Sequence, residues 1–306
     1  MLRYIVKRVL GMVPTLLLVT IFVFLFIHLI PGDPARLSAG PEASQQTVET
    51  IRDQLGLNKP LVTQYVVWMG NLLHGNLGTS ISTKRAVSYE IGQRYWQTMK
   101  LALASLIWST IVGVLLGVWS GRHRSHWQDY TGMTLAVSGI SMPSFWIGFI
   151  MILIFSVWLR ILPATGAESW KSLILPSFTL GTGIAAVLAR FTRSSIIEVL
   201  KEDYVRTARA KGIRERRVVW LHAFRNSMIP VITVAGLQFG FLLGGSVVVE
   251  SVFAYPGVGS LLLNSINARD YPCIQALILL FSLHFILINL IVDILYALLN
   301  PEIQLS

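Results

Sequence analysis

The sequence contains little cysteine and little charge. Its one cysteine, Cys273, excludes an intrachain disulfide and a cysteine-based metal cluster. Only 13% of the 306 residues are charged, whereas 54% are hydrophobic. A soluble domain carries about 25% charged residues. Water is therefore not the main solvent of this chain.

Nucleotide-binding and catalytic motifs are also absent from the sequence. No Gly-x-x-x-x-Gly-Lys-Ser/Thr loop occurs, so the chain lacks the backbone cradle and the lysine that hold ATP phosphates. Neither His-Glu-x-x-His nor Gly-x-Ser-x-Gly is present. We therefore expect a non-catalytic chain that binds no cofactor or metal of its own.

The net charge of +10 raises the question of nucleic-acid binding. The basic residues, however, cluster between apolar runs instead of covering one continuous polar domain. Such a distribution is a signal of membrane topology. We expect contact with membrane lipid and none with nucleic acid.

Six apolar stretches have the length of about 20 residues that a helix needs to cross a bilayer. They cover residues 9–30, 98–121, 131–159, 173–196, 228–249 and 275–299. Pro143 lies inside the third stretch and Pro176 opens the fourth, and each predicts a kink. A kink at either proline could be a gate hinge or a static feature of the helix.

The distribution of Lys and Arg predicts that both chain termini are cytoplasmic. This orientation places Arg3, Lys7, Arg8 and the basic residues from 190 to 225 inside, as the positive-inside rule requires. The first apolar run is longer than the about 7–15 residues of a signal peptide, so we expect a retained anchor.

The first extracytoplasmic segment, residues 32–97, is too long for a connector. Helices are predicted over residues 47–55, ending at Gly56, and over residues 61–73. The second has an apolar face at helical spacing, formed by Val62, Tyr65, Val66, Met69 and Leu72. This segment is interpreted as a lid packed on the bundle, or as a lid that also contacts a solute-binding protein. We expect residues 1–97 to form an anchor helix with this extension, and residues 98–306 to form one domain of five spans.

A basic loop separates the fourth and fifth stretches. Ile197, Leu200, Tyr204 and Ala208 recur at steps of three or four and predict one face of a helix, and Gly212 can end it in a left-handed cap. A second amphipathic stretch follows. Such a loop can lie on anionic lipid, act as a topological anchor, or form a rigid unit that transmits a partner's movement to the spans.

Resemblance favours the third interpretation. Residues 204–212, Tyr-Val-Arg-Thr-Ala-Arg-Ala-Lys-Gly, with His-Ala-Phe-Arg-Asn at 222–226 and Pro230, resemble the coupling signature of binding-protein-dependent ABC importer permeases of the dipeptide, oligopeptide and nickel branch. Arg206-Thr207-Ala208 stands where the general importer motif has Glu-Ala-Ala. The resemblance implies that the ATPase-coupling residues are Glu202, Asp203, Tyr204, Arg206, Thr207, Ala208, Arg209, Ala210, Lys211 and Gly212.

The resemblance covers nearly the whole chain, including residues 31–34, 75–80, 256–259 and 269–272. Residues 239–250 are most similar to glutathione-importing members of the branch. The family implies an all-α integral membrane protein of the type I ABC importer permease fold, which moves a dipeptide, an oligopeptide or glutathione, or less expectedly a nickel chelate, across the inner membrane by alternating access.

The same resemblance implies the partners of the chain. These are a second homologous permease, two ABC ATPase subunits or domains that hold ATP and Mg, and a periplasmic or lipid-anchored solute-binding protein. The main alternative is a self-contained secondary transporter, which typically shows inverted repeats. No convincing repeat is present. An intramembrane enzyme is disfavoured because no pair of catalytic groups converges at one predicted depth.

Gly236, Gly240 and Gly244 repeat every fourth residue in the fifth stretch. Without side chains they permit close approach of another helix, either as tight packing or as part of an interface or translocation path. Gly113 and Gly117 form a weaker copy in the second stretch, for which packing is the favoured interpretation.

Polar side chains within the predicted bilayer default to a functional hypothesis. In the sixth stretch these are His284, Asn289 and Asp293. Asp293 lies near the cytoplasmic end and could instead bond to another span. Arg190 and Arg193 lie at the cytoplasmic end of the fourth stretch, where we expect them to snorkel to the interface.

Overall fold

The structure of the chain is a computed structural model that describes residues 2–29, 33–40, 42–54 and 56–299. Predictions that involve residues 1, 30–32, 41, 55 and 300–306 lie outside the described residues. Within the described ranges the chain is helical and carries no strand. Its helices are α1 (Leu2–Leu29), α2 (Pro34–Ala39), α3 (Gln45–Gln54), α4 (Leu61–Leu73), α5 (Val87–Arg122), α6 (Trp127–Ser141), α7 (Ser144–Met151), α8 (Ile174–Val199), α9 (Asp203–Ala210), α10 (Glu215–Arg217), α11 (Phe224–Val252), α12 (Val258–Asn267) and α13 (Tyr271–Leu299).

The described helices provide five spans of sufficient length and apolarity, and a sixth if one bent pair counts as a single span. This agrees with the six predicted stretches. The second stretch, predicted to begin at residue 98, belongs to the longer α5, which begins at Val87. The proposed division between residues 97 and 98 therefore falls inside a continuous helix.

The third span is broken and not merely kinked. The α6 segment and the segment from Ser144 to Trp158 meet at an angle of 104°, and residues Ile152–Trp158 continue α7 as a π-helix. Pro143 explains the break because it has no N–H to donate and disfavours helical backbone at the residue before it. Met142 accordingly has extended dihedrals (φ −88°, ψ 129°).

The centre of the bundle is the pairing of α5 with α8. A Cβ placed on Gly113 would lie 2.6 Å from the carbonyl oxygen of Ala185, and one on Gly117 would lie 2.5 Å from that of Ala189. These two glycines therefore allow backbone to pack on backbone. Packing was the favoured interpretation for Gly113 and Gly117. Ranking this pair as a weaker copy of the glycine repeat at 236, 240 and 244 was wrong, because backbone atoms of the neighbouring helix are among the closest to this pair and not to that repeat.

Alanine substitutions at Gly117 and at Gly244 test this packing, because only the first glycine has close neighbours. Gly117→Ala would place a methyl group 2.5 Å from both the Ala189 oxygen and the Thr192 Cβ, whereas nothing lies within 4 Å of a Cβ at Gly244. We expect Gly117→Ala to destabilise the bundle by about 1–3 kcal/mol through overpacking. We expect Gly244→Ala to leave its stability unchanged or to raise it by up to about 1 kcal/mol, because alanine favours the helix over glycine. Thermal unfolding of the purified variants in detergent measures this difference, and equal stability of the two would contradict the packing.

Helix α1 lies at the edge of the bundle. It packs chiefly on α13, and much of its apolar surface is exposed, including Leu18 and Phe22 at 67% and 68%. Helix α4, predicted over the same residues, packs on α1. The segment expected to form a lid therefore packs beside the anchor helix α1, and Tyr65 and Trp68 of α4 make this contact.

Candidate functional site

The predicted coupling segment is folded as a compact unit at the end of α8. Helix α8 stops at Val199, a turn follows, and α9 begins at Asp203. The prediction that Ile197, Leu200, Tyr204 and Ala208 share one helix face was therefore wrong, because Ile197 lies in α8, Leu200 in the turn, and the other two in α9. We call residues 200–226 the coupling knob.

The coupling knob has its own small hydrophobic core. Val205 and Val218 are completely buried and Ala208 is 7% exposed, and Leu200 and Ile213 pack against them. Val218 lies in a π-helical turn, Val218–Ala223, which continues directly into α11. The knob is thus joined to α11 by continuous helix, which is stiffer than a flexible linker.

Polar contacts close the coupling knob around that core. Arg209 donates from Nε and Nη2 to the two oxygens of Glu215, at 3.1 and 2.8 Å. Asn226 donates to the Tyr204 hydroxyl at 2.8 Å. The Arg209 hydrogen bond lowers the pKa of Glu215 against the opposing effect of burial. This carboxylate therefore stays charged to a lower pH than an ordinary glutamate, and the pair persists at neutral pH.

Gly212 ends α9 as predicted, in the left-handed conformation with φ +74°. Its N–H reaches the Arg209 carbonyl oxygen at 2.9 Å, and Ile213 N reaches that of Ala208 at 3.3 Å. Nothing lies within 4 Å of a Cβ placed here. The constraint on this position is therefore backbone conformation and not space.

Most of the predicted coupling residues lie on the exposed surface of the knob: Glu202, Asp203, Tyr204, Arg206, Thr207, Arg209, Ala210, Lys211 and Gly212. Ala208 is the exception, since it belongs to the core. The side chains of Asp203 and Arg206 are 95% and 76% exposed. The knob thus presents charged groups of both signs on a rigid base.

Three of the predicted membrane residues meet at the interface of α11 with α13. A Cβ on Gly236 would overlap Val292, and one on Gly240 would lie 3.0 Å from the Phe285 ring. Asn289 is one turn from both partners on α13. Its amide oxygen is buried and has no hydrogen-bond partner in the part of the chain that the structure describes. Gly244 does not join this contact.

The ionisable groups of the sixth span are held by other spans. His284 Nε2 lies 2.5 Å from the Tyr95 hydroxyl of α5. Asp293 pairs with Arg8 of α1 at 3.1 Å. Of the two interpretations given for Asp293, the structure therefore shows the bond to another span. This partly exposed ion pair joins the peripheral helix α1 to α13.

Sequence reasoning missed a buried ion pair between α6 and α8. Arg193 donates from Nε and Nη2 to the two oxygens of Asp129, at 2.5 and 2.7 Å. Ser120 Oγ and the Ser125 N–H complete the shell of donors, at 2.7 and 3.0 Å. The expectation that Arg193 snorkels was therefore wrong, because its guanidinium turns inward to a carboxylate that is 5% exposed.

A second missed group is Glu250, which is completely buried near the end of α11. It accepts from Thr98 Oγ1 at 2.6 Å and from the Ser260 N–H at 2.9 Å. Gly257 leaves room for this carboxylate, since a Cβ there would overlap it. Glu250 thus ties α5, α11 and α12 together. An acid at the end of an apolar stretch was the available signal.

Tyr255 adds to this arrangement from the loop that follows α11. Its hydroxyl donates to the backbone and side-chain oxygens of Gln97, at 3.3 and 3.2 Å. Burial raises the pKa of Tyr255 to about 12, so the hydroxyl keeps its proton at physiological pH.

A helical bundle with five or six apolar spans in its described residues, and a compact charged knob between two of them, points to a membrane-transport subunit. Two family descriptions match the chain: the binding-protein-dependent transport system inner membrane component over residues 113–305, and the N-terminal membrane component of the same systems over residues 1–104. The chain belongs to the family of binding-protein-dependent transport system inner membrane components. It is a permease subunit of an ABC importer, and a self-contained secondary transporter is not favoured.

Curated relatives are similar to this chain over almost their full length. The glutathione transport system permease protein GsiC of Salmonella typhi is 56% identical over 304 residues, which cover 99% of each chain. That of Escherichia coli strain K12 is 55% identical over the same share. The predicted family is confirmed by these matches.

A solved structure supports the fold. One chain from the inward-facing MetNI methionine ABC transporter aligns with 69% of this chain and 97% of its own, with a TM-score of 0.59 at 19% identity. The type I importer permease fold is thereby confirmed. Permeases of this family work with ATPase and solute-binding-protein partners.

Proposed function

We propose that this chain is the permease subunit of a glutathione importer, one of two homologous permeases that form the translocation path. The observation that supports glutathione as the solute is the 55–56% identity, over 99% of the chain, to relatives named as glutathione transport permeases. Glutathione is itself a small peptide, so the proposal falls within the predicted peptide-like class. A dipeptide or an oligopeptide is the second candidate.

The coupling knob is proposed to dock on an ABC ATPase, which supplies ATP and Mg. Support comes from its rigidity, since three buried side chains and the Arg209–Glu215 pair hold two short helices together. Further support comes from its continuity with α11. When ATP closes the motor, the knob moves with it and the bundle opens outward; hydrolysis resets the inward-facing state.

The proposed orientation places the chain termini and the coupling knob in the cytoplasm. The short turn 123–126 then lies on the same side, while α2–α4 and α12 face outward to the solute-binding protein. The exposed basic residues of the knob support this orientation through the positive-inside rule; they include Lys201, Arg206, Lys211 and Arg214.

Uptake measurements test the solute directly. Cells without their own glutathione and peptide importers would express this permease with its partner subunits, and would receive radiolabelled glutathione or a radiolabelled dipeptide. We expect energy-dependent glutathione uptake several-fold above that of the dipeptide. Dipeptide uptake alone would overturn glutathione and leave the permease assignment intact. The control expresses the same operon without this permease.

A further inference from the structure

Helix α4 has an apolar surface that no other described part of the chain covers. None of its residues is buried, and Val62, Val66 and Leu73 are 75%, 61% and 79% exposed. These three share one side of the helix, because positions four and seven apart along a helix lie above one another. Tyr65 and Trp68 occupy a different side, which packs on Phe24 of α1 at ring distances of 5.4 and 5.9 Å.

The contact with α1 fixes the depth of α4 relative to the membrane. The apolar span of α1 runs from Arg8 to Phe26. At about 1.5 Å per residue, Phe24 lies about 3 Å inside the far end of that span. The Tyr65 hydroxyl reaches deeper, to Thr20 Oγ1 at 2.9 Å, a position about 9 Å inside. Helix α4 therefore sits at the level where the apolar core of the bilayer meets its headgroups.

The composition of α4 suits that level. Residues Leu61–Leu73 include no charged side chain, so nothing in the helix opposes contact with hydrocarbon. Asn71, which is exposed, lies on the side of the helix opposite Val62 and can face the headgroups. Thr63 and Val67, also exposed, lie between that side and Val66. Helices that lie in a membrane interface bury their apolar face by about 5–10 Å, which matches the depth set by α1.

We infer that α4 is a membrane-interface helix whose Val62–Val66–Leu73 face is covered by lipid acyl chains. Lipid is the occupant because α1 is also open on the side that carries α4: Val13 and Leu17, which lie deeper in the span on the same side of α1 as Phe24, are 54% and 50% exposed. The helix therefore anchors the large outer segment to the bilayer surface beside α1. This inference rests on the family assignment only in taking α1 as a membrane span.

Collision measurements with a spin label test the inference. The importer would be purified with its partners and placed in nanodiscs of phosphatidylethanolamine and phosphatidylglycerol. Val62→Cys and Val66→Cys report the lipid face, and Thr63→Cys and Asn71→Cys are matched controls on the same helix. Cys273 is 1% exposed, and the complex without an introduced cysteine measures residual labelling.

We expect labels at 62 and 66 to collide with oxygen several-fold more, relative to a water-soluble nickel chelate, than labels at 63 and 71. Equal access of the nickel chelate to all four positions would overturn the inference, because the helix would then lie in water. Low access of both reagents at 62 and 66 would also overturn it, since a protein partner would then cover the face. Loss of glutathione uptake is not part of this readout, so the solute proposal is tested separately.

Discussion

Gly212→Val is expected to abolish most ATP-driven uptake while the protein still inserts and assembles. The backbone at this position has φ +74°, a conformation that costs a residue with a Cβ about 1–2 kcal/mol and a β-branched residue more. About 1.4 kcal/mol corresponds to a tenfold change in an equilibrium. We therefore expect uptake to fall by about tenfold or more as the end of α9 is displaced from the knob.

The matched control is Gly166→Val. Gly166 has φ +88° and, like Gly212, nothing within 4 Å of a Cβ placed at that position, but it lies in the loop after the third span. The two variants therefore carry the same kind of backbone strain in different places. ATP hydrolysis and uptake are measured together in proteoliposomes. If Gly212→Val transports as well as Gly166→Val, the coupling role of the knob is wrong.

Asp129→Ala is expected to cause a large loss of stability outside the coupling knob. It leaves the Arg193 guanidinium, 28% exposed, without its carboxylate partner. Removing one partner of a buried pair costs about 3–5 kcal/mol. For a chain of this size that corresponds to a fall in apparent Tm of roughly 10 °C, measured by thermal unfolding in detergent.

A double-mutant cycle identifies the pair as the cause. Arg193→Met alone leaves the carboxylate unpaired, whereas the double variant Asp129→Ala, Arg193→Met removes both charges. The double variant should therefore lose less than the sum of the two single losses. Asp53→Ala, at an exposed acid, is the control. Additive losses, or a loss at Asp129 no greater than at Asp53, would contradict a coupled buried pair.

Local patterns in the sequence predicted the elements of the fold well. The bounds of α4 and the left-handed Gly212 follow from proline, glycine and apolar spacing, which act over a few residues. The six spans follow from length and composition. The size of the bend at Pro143 did not follow, because a proline removes a hydrogen bond but the surrounding packing sets the angle.

Long-range contacts could not be predicted from one sequence. Asp129 and Arg193 are far apart in the chain, and each alone resembles an ordinary interfacial charge. The same limit applies to Glu250, whose donors come from α5 and from the start of α12. The close approach at Gly117 depends on α8 lying opposite, which glycine spacing does not reveal.

Photo-crosslinking shows whether an ATPase docks on the coupling knob. A crosslinking amino acid replaces Arg206, whose side chain is 76% exposed, or Trp170, which is 74% exposed at the opposite end of the bundle. The complex is then purified in mild detergent and the adducts are identified by mass spectrometry. We expect a P-loop ATPase crosslinked at 206 and not at 170. A chain that purifies alone, or that forms no ATPase adduct at 206, would contradict the assignment of this chain as an ATPase-coupled permease.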